Sequence, residues 1–301
     1  MEQTFVAWAK MRARRLPQVK LGIGDDAAIL AGSGEDWVVT TDTLMDGVHF
    51  KSTEVSGERI GRKLISVNLS DLAAMAAEPI AVFLTLCLPR SASQQMAADI
   101  YEGVCEVAER YQVALAGGDT NCWDGPLVVS MTAIGKTIGG LAWTRSGALP
   151  GDAVVVTGPL GGSILGKHLD FEPRIELARV IRNQIPIHAA MDISDGLSTD
   201  LLRMCDASHC GAVLDLAEIP VSEQAIQLAR SSGKTPVEHA LGDGEDFELL
   251  LSVAESDLHK LTELVGQSQC HKVGTFTSRT GLWAREGSRI RQLPATGFVH
   301  H

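Results

Sequence analysis

The chain has 301 residues, of which 45% are hydrophobic and 21% are charged, and its formal net charge at pH 7 is -11. These values exclude a disordered chain and predict two domains, because a single hydrophobic core seldom grows beyond about 250 to 300 residues. The negative charge argues against a nucleic-acid partner, since binding to a phosphate backbone requires clustered lysine and arginine. An anionic substrate would need bound cations as intermediaries.

The sequence also bears on the membrane and on the redox environment. No stretch reaches the roughly 18 to 20 consecutive apolar residues of a membrane helix, and the first residues lack the apolar core of a secretory signal. We therefore expect a cytoplasmic protein without a membrane partner. The chain has six cysteines. They form no C-x-x-C pair, which favours free thiols over zinc sites or disulfides. The trio Cys205, His209 and Cys210 is only weak support for a metal site.

The first half of the chain alternates predicted helices and strands, as an α/β domain does. Hydrophobic periodicity predicts helices at 5–14, 59–75 and 96–111, and apolar runs predict strands at 81–88, 113–116 and 127–134. A further short buried strand begins at Val38. We expect it to end where its polar residues begin, at Thr40.

Glycines and prolines between positions 139 and 151 mark the predicted domain boundary. We predict an N-terminal domain at 1–138 and a C-terminal α/β domain at 139–301. In the second half the predicted strands lie at 153–156, 213–216 and 247–253, and a further strand is predicted to pass into a loop within 189–195. A helix is predicted after the glycine-rich loop at 158–162, and the other predicted helices lie at 173–183, 197–207, 222–230 and 255–265.

Asp71 interrupts the apolar stripe of the helix predicted at 59–75. Ile60, Leu64 and Val67 form this stripe, and Asp71 occupies its next position. Burial of a charge without a partner is costly, so we expect Asp71 to be paired, to bind a metal ion, or to face a cleft. The alternative is that Asp71 caps a neighbouring element.

Other carboxylates stand in glycine-rich or hydroxyl-rich segments near predicted strand ends. In open α/β sheets ligands bind beyond the carboxyl ends of strands, so we expect these segments to assemble one metal and phosphate site. Magnesium prefers oxygen ligands and is usually held by a few carboxylates together with substrate phosphates. Taken alone, the pair Asp25 and Asp26 is also compatible with an ordinary turn. The candidate ligands are Asp26, Asp42, Asp71, Asp119, Asp192 and Asp195.

Six motifs in this order resemble those of the thiamine-monophosphate kinases. This family belongs to an ATP-binding superfamily that includes aminoimidazole ribonucleotide synthetase and selenophosphate synthetase. Each motif is weak by itself, but the ordered set spans nearly the whole chain. The motifs are GDDAA at 24–28, TTD at 40–42 with GVHF at 47–50, SVNLSD at 66–71, GGD at 117–119, MDISDG at 191–196 and GEDFEL at 244–249.

The resemblance implies a two-domain α/β (α+β) fold and a homodimer in which the sheets of the N-terminal, ATP-binding domains pair. It implies direct transfer of the γ-phosphoryl group of ATP to thiamine phosphate, which gives thiamine diphosphate and ADP, with several Mg²⁺ ions as cofactors. No catalytic side chain is implied, because a phosphate oxygen is already a competent nucleophile and phosphoryl transfer depends mainly on positioning and charge neutralisation.

The resemblance also implies a role for individual residues. The implied magnesium ligands are Asp26, Thr40, Thr41, Asp42, Asp71, Asp119, Asp192 and Asp195. The implied ATP contacts are Tyr101, Gly118, Asp119, Arg145 and Ser194. The implied thiamine phosphate contacts are His49, Glu245 and Phe298, since a carboxylate and an aromatic face suit a cationic thiazolium ring.

Two positions depart from the family pattern, and two have a simpler interpretation. Phe298 stands where the family often has a tryptophan, and Asp243 stands where a glycine is commoner, which leaves Asp243 open to interpretation as an incidental loop residue. Without the resemblance, His49 could be a loop histidine satisfied by backbone groups. Tyr101 could be the edge of an apolar core.

Two further functions compete with the kinase. A synthetase of the same superfamily is the nearest rival. Selenophosphate synthetase is disfavoured because it needs a reactive cysteine near its N-terminus, whereas the first cysteine here is Cys87, within a predicted buried strand. Aminoimidazole ribonucleotide synthetase remains possible on fold alone. A non-catalytic regulator would bind ATP and magnesium without turnover.

Overall fold

The computed structural model describes residues 2–13, 16–92 and 94–297, with only the backbone described for residues 2 and 3. Strands β1, β2, β3, β6, β4 and β5 form a six-stranded sheet in that order. Its elements in chain order are α1 (Glu2–Arg12), β1 (Val19–Leu21), β2 (Ala28–Leu30), β3 (Trp37–Met45), α2 (Gly57–Ala74), β4 (Glu78–Pro89), α3 (Gln94–Tyr111), β5 (Ala114–Trp123) and β6 (Val128–Lys136).

The second half forms a seven-stranded sheet in the order β13, β12, β9, β11, β7, β10, β8. The longer connections also contain short 3-10 turns, of which Ser163–Leu165 lies near the site. The elements are β7 (Ala153–Val156), α4 (Lys167–Asp170), α5 (Ile175–Arg182), β8 (Ile187–Asp192), α6 (Leu197–Ala207), β9 (Gly211–Asp215), α7 (Glu223–Ser232), α8 (Pro236–Gly242), β10 (Leu249–Val253), α9 (Leu258–Val265), β11 (His271–Thr277), β12 (Gly281–Glu286) and β13 (Arg289–Gln292).

The predicted fold class, a chain of mixed helices and strands, is confirmed. Pairing between the described strands is mainly antiparallel, and β4 with β5 and β9 with β12 are the parallel pairs. The predicted domain boundary falls between β6 and β7, where the chain passes from one sheet to the other. Its exact position after residue 138 remains a prediction. No helix in the described ranges is long and apolar enough to cross a membrane.

Two strands extend well beyond their predicted carboxyl-terminal ends. All nine residues of β3 pair with β6, so the strand does not end at Thr40 but continues to Met45. Strand β5 likewise runs through Gly117, Gly118 and Asp119 to Trp123. Pairing with a neighbouring strand supplies backbone hydrogen bonds whatever the side chains are, and it therefore overrides the local polarity on which the predicted ends rested. The short strands β1 and β2, helix α8, and β11 to β13 were not predicted.

Helix α2 lies between the two halves of the chain. It packs on β3, β6 and α3 on one side and on α4, α5 and β8 on the other. Its close contact with α3 depends on glycine: a Cβ atom at Gly61 would lie 2.0 Å from the carbonyl oxygen of Ile100. Residues three, four and seven apart share one helix face, so Lys63, Val67 and Ser70 form a stripe that is turned toward the second half.

We predict that Gly61→Ala destabilises the protein, although alanine is the better helix former. The added methyl group would collide with the backbone of α3, and overpacking of this kind typically costs about 1–3 kcal/mol. The free energy of unfolding in urea measures the effect. Gly34→Ala is the matched control, because a Cβ atom there meets no atom within 4 Å. Equal stability of the two variants would contradict the close packing of α2 on α3.

Candidate functional site

Three carboxylates meet where α2 lies between the sheets. Asp26, Asp71 and Asp192 each offer an oxygen atom, and the three oxygens lie within 4.8 Å of one another. Asp26 precedes β2, Asp71 lies near the end of α2, and Asp192 is the last residue of β8. The two halves of the chain thus contribute to one acidic cluster, which we call the carboxylate cluster.

Each member of the carboxylate cluster has a defined donor. The hydroxyl of Thr40 donates to Oδ2 of Asp71. Ser70 Oγ donates to Oδ2 of Asp192 at 2.7 Å. The guanidinium of Arg145 donates to Oδ1 of Asp26, from Nη2 at 2.6 Å and from Nε at 3.2 Å.

Two buried oxygens in this region lack a donor. Oδ2 of Asp26 and Oδ2 of Asp42 have no hydrogen-bond partner among the described residues. A buried polar atom without a partner costs free energy, whereas a bound cation would satisfy it. These two atoms therefore support a cation site at the carboxylate cluster.

Burial and mutual repulsion disfavour ionisation of these carboxylates. Burial raises the pKa of Asp71 well above its usual value, and the charges of Asp42, Asp192 and Asp26 raise it further. Burial likewise raises the pKa of Asp192, with the charge of Asp26 adding to the effect. The pKa of Asp42 rises to about 6 for the same two reasons. Divalent cations would remove the repulsion, so the donor set fits hard ions such as magnesium.

Two predicted metal ligands lie on the other face of the first sheet. Successive residues of a strand point to opposite faces, so Thr41 and Asp42 face opposite ways. Thr41 Oγ1 donates to the carbonyl of Met131 at 3.0 Å. Asp119 is exposed on the edge strand β5 and accepts a hydrogen bond from Asn121 Nδ2 at 2.8 Å. The structure does not bring the side chains of Thr41 and Asp119 to the carboxylate cluster.

Asp195 is held by Arg203 and Asp200, neither of which was predicted from the sequence. Arg203 Nη2 lies 2.5 Å from Oδ2 of Asp195, and Arg203 Nη1 lies 2.8 Å from Oδ1 of Asp200. Oδ2 of Asp200 accepts from the backbone N–H groups of Ser194 and Asp195 at 3.0 and 2.9 Å. Asp200 thereby orders the turn that leads into α6. The only sequence signal for it was a carboxylate in the first turn of a predicted helix.

A cavity of about 470 Å³ is lined by Asp42 and by Ser194 and Asp195, which closely follow the cluster residue Asp192 in the chain. Its position between the two halves brings together predicted residues from both of them. A second cavity of about 530 Å³ shares Val48, His49, Ile164 and Glu245 with the first. The polar side chains that line the first cavity include Asp42, His49, Ser194, Asp195, Asp243 and Glu245.

A buried lysine joins the two predicted substrate residues at this cavity. Lys63 Nζ donates to Oε1 of Glu245 at 2.6 Å and to the carbonyl oxygen of His49 at 2.9 Å. The His49 ring accepts from the backbone N–H of Met45 through Nδ1 at 3.1 Å. Lys63 was not among the residues predicted from the sequence. The sequence feature that could have indicated it is its position on α2. Lys63 lies one turn before Val67 and two turns before Ser70, on the stripe that faces the second half.

Asp243 is not an incidental loop residue. Its Oδ2 accepts from the backbone N–H of Gly162 and lies 2.8 Å from Nδ1 of His239. Through these contacts Asp243 joins the end of α8 to the glycine-rich turn before Ser163. Asp243 also lines the first cavity.

The predicted nucleotide residues come from separate segments of the chain. The backbone N–H of Arg145 lies 3.2 Å from the Asp25 carboxylate, so this arginine contacts two adjacent aspartates. A Cβ atom at Gly118 would lie 1.8 Å from the carbonyl oxygen of Leu84, which leaves room for glycine alone. Tyr101 is exposed on α3. It does not line either of the two cavities described above.

The aromatic contact expected at the substrate has a second candidate. Phe298 lies outside the described residues. Phe247 lines the first cavity and stacks on Phe171 with ring centroids 4.1 Å apart. Val67 of α2 packs against the same two rings. Phe247 lies in the GEDFEL motif, but nothing in the sequence indicated that its ring would reach the cavity.

Known proteins are similar to this chain over its whole length. Family models described as AIR synthase related protein match in two parts, the N-terminal domain at residues 24–137 and the C-terminal domain at residues 149–283. A thiamine-monophosphate kinase of Rhodopirellula baltica is 47% identical over 100% of this chain and 97% of the relative.

Solved structures agree with this relationship. The structure of AaThiL complexed with AMPPCP and TMP has a TM-score of 0.84 at 25% identity, and the match covers 99% of this chain and 96% of that one. Thiamine-monophosphate kinase from Stenotrophomonas maltophilia has a TM-score of 0.75 at 32% identity, with 93% of this chain and 94% of that one covered.

The buried Asp246 gives a prediction for the pH dependence of stability. Both its oxygens accept from the backbone N–H of Gly161, at 3.0 and 2.9 Å, and burial raises its pKa to about 7. Between the ordinary carboxyl pKa and this value, the folded protein retains a proton that the unfolded chain has lost. The contribution of Asp246 to stability is therefore complete below about pH 4 and decreases as the pH rises to about 7.

We expect Asp246→Asn to remove this part of the pH dependence, because the amide does not titrate. Urea unfolding at intervals from pH 4 to pH 8 measures it as the difference between wild type and variant. A difference that stays constant across this range would contradict the raised pKa.

Proposed function

This chain belongs to the thiamine-monophosphate kinase family, and from that membership we propose that it transfers a phosphoryl group from ATP to thiamine phosphate. The similarity to a curated kinase over the full length of both chains supports this activity. It also confirms the family resemblance inferred from the six motifs. Neither the synthetase alternative nor the binding-only alternative has a comparable observation in its favour.

We propose that the carboxylate cluster, together with Asp42, Thr40 and Asp195, holds magnesium ions. When bound, these ions would neutralise the phosphate oxygens and the charge that develops during phosphoryl transfer. The protein groups around them have a positioning role. Ser70 and Thr40 fix two carboxylates by hydrogen bonds, and Arg145 orients Asp26. The assignment of Thr41 and Asp119 as metal ligands remains a prediction. Their side chains lie on the outer face of the first sheet, so these side chains could bind only a cation located on that face.

For the substrates, we assign the two ends of thiamine phosphate by charge. The cationic ring suits the side of the cavity with Glu245, His49 and Phe247, and Phe298 stays a predicted contact. The phosphate suits the side with Asp42 and Asp195, where cations would reverse the sign of the local charge. Ser194, Arg145, Gly118 and Tyr101 remain the predicted ATP contacts. No side chain needs to serve as a base in a direct, in-line transfer.

We also propose that the protein is a homodimer that pairs through the first sheet. Four large apolar side chains, Trp37, Met45, Phe83 and Trp123, are exposed on the outer face of this sheet. Strand β5 is an edge strand and is exposed along nearly its whole length. Exposed apolar patches and unpaired edges are typical of interaction surfaces.

A cytoplasmic location fits the chemistry of the cysteines. All six are free thiols, and two of the buried ones, Cys205 and Cys210, lie in contact without a disulfide. Free thiols persist in reducing compartments. Recovery of the protein outside the cytoplasmic fraction of lysed cells would contradict this location.

The activity predicts release of ADP from ATP and magnesium only when thiamine phosphate is present. We expect no ADP with free thiamine or without an acceptor, and we expect thiamine diphosphate as the second product. Asp42→Asn should lower kcat/KM at least 100-fold and raise the magnesium concentration required, because removal of a transition-state charge contact typically costs about 10²–10³ in rate.

Asp124→Asn is the control for this prediction, since Asp124 is exposed and pairs only with Arg90 among the described residues. Circular dichroism would show whether each variant is folded. ADP release that is independent of thiamine phosphate in the wild type would exclude the kinase, and a folded Asp42→Asn variant with unchanged turnover would remove Asp42 from the site.

The dimer proposal predicts a sedimentation mass of twice 32.1 kDa. Phe83→Asp should shift this mass toward the monomer, because a charge in an apolar interface loses its hydration without gaining a partner. Ile226→Asp, at an exposed apolar residue on α7, is the matched control. A monomeric wild type at micromolar concentration would contradict the proposal.

A further inference from the structure

Lys63 is the largest side chain of the described chain with no exposed surface. An ammonium group is among the most costly groups to remove from water, and it is retained in a protein interior only with close partners. Lys63 lies in the middle of an otherwise tightly packed helix. Its burial therefore requires both of its contacts, the carboxylate of Glu245 and the carbonyl of His49.

These two partners are residues that we assigned to thiamine phosphate, and they come from different halves of the chain. His49 lies in the turn after β3, and Glu245 lies between α8 and β10. Both line the two adjoining cavities. Lys63 thus joins the two halves directly beneath the part of the cavity where the cationic ring is expected.

Glu245 is constrained at its backbone as well. Its φ angle is 53°, in the left-handed region that residues other than glycine seldom adopt. Its N–H donates to the carbonyl of Ser194 at 2.7 Å. The side chain of Glu245 remains 31% exposed, so one part of the carboxylate meets Lys63 while the rest faces the cavity.

We propose that Lys63 is a positioning residue for thiamine phosphate, which fixes the Glu245 carboxylate and the turn of His49 at the cavity without touching the substrate. This inference rests on the proposed function. Since the ammonium has no exposed surface, it acts through its two partners. It holds the carboxylate charge at one place, so that the thiazolium ring meets an oriented anion and not a mobile side chain.

A positioning role and a purely structural role for Lys63 predict different effects on the KM values of the two substrates. Loss of a structural contact would lower stability and affect both substrates alike. Loss of a positioning contact would affect the substrate that meets Glu245. The two KM values, together with a double-mutant cycle between Lys63 and Glu245, separate these cases.

The experiment compares Lys63→Met, Glu245→Gln and the double variant in the ADP-release assay. We expect Lys63→Met to raise the KM for thiamine phosphate about tenfold or more, since loss of one partner of a buried charge pair releases the other. The KM for ATP should change less than about twofold. In the Glu245→Gln background, Lys63→Met should change the KM for thiamine phosphate by less than about twofold, because the two residues act as a unit.

Two further variants complete the design. Lys63→Gln retains an N–H donor for the His49 carbonyl and replaces Lys63→Met if the latter does not fold. Lys272→Met removes a lysine that pairs with Glu255 on the surface, away from both cavities, and should leave both KM values unchanged.

A folded Lys63 variant with an unchanged KM for thiamine phosphate would overturn the inference. Equal increases in both KM values, or additive effects in the double variant, would also overturn it. A wild-type protein without thiamine phosphate-dependent ADP release would instead contradict the proposed function, so the two failures are distinguishable.

Discussion

The structure depends on how helix α2 is buried. This helix lies between the two sheets, and polar residues lie on its buried faces where a helix in such a place would ordinarily be apolar. Buried polar groups are ordinarily satisfied within the protein, although Oδ1 of Asn68 has no hydrogen-bond partner among the described residues. Lys63 pairs with Glu245 and Ser70 with Asp192, both in the second half, while Asp71 accepts from Thr40 in the first half. These hydrogen bonds and this ion pair hold the two halves in one orientation, because a shift of α2 would leave buried polar groups without partners.

The same contacts determine where the candidate site lies along α2. Asp71 and Ser70 lie at the end of α2 that meets β8, and Lys63 lies two turns earlier, beneath the cavity. The helix thus sets the separation between the carboxylate cluster and the residues assigned to the cationic ring. This arrangement suits a substrate with an anionic end and a cationic end, such as the thiamine phosphate proposed above. Bound cations would relieve the repulsion among Asp26, Asp71 and Asp192, which agrees with the magnesium site proposed above.

Much of the fold could be predicted from local patterns, because long amphipathic segments have a clear period. The helices predicted at 59–75, 96–111 and 197–207 agree with α2, α3 and α6 to within about two residues. Prediction failed where pairing with a distant strand decides the structure. Strands β3 and β5 extend through polar and glycine residues because β6 and β4 supply partners for their backbone groups. The three-residue strands β1 and β2 are too short to show a period.

The family and its phosphoryl-transfer chemistry could be predicted from the ordered motifs alone, because such a set of acidic residues and glycines is specific even without a structure. The sequence also indicated that Asp71 would need a partner, since this residue interrupts an apolar stripe, and the Thr40 hydroxyl donates to it. Which residues meet is visible only in the folded chain. The tertiary structure separates Thr41 from Asp42 because neighbouring residues of a strand face opposite sides. It joins Lys63 to Glu245 across 182 positions of sequence. No local pattern encodes such a contact, because a side chain's partner depends on how the whole chain packs, whereas its chemistry is fixed by its own identity.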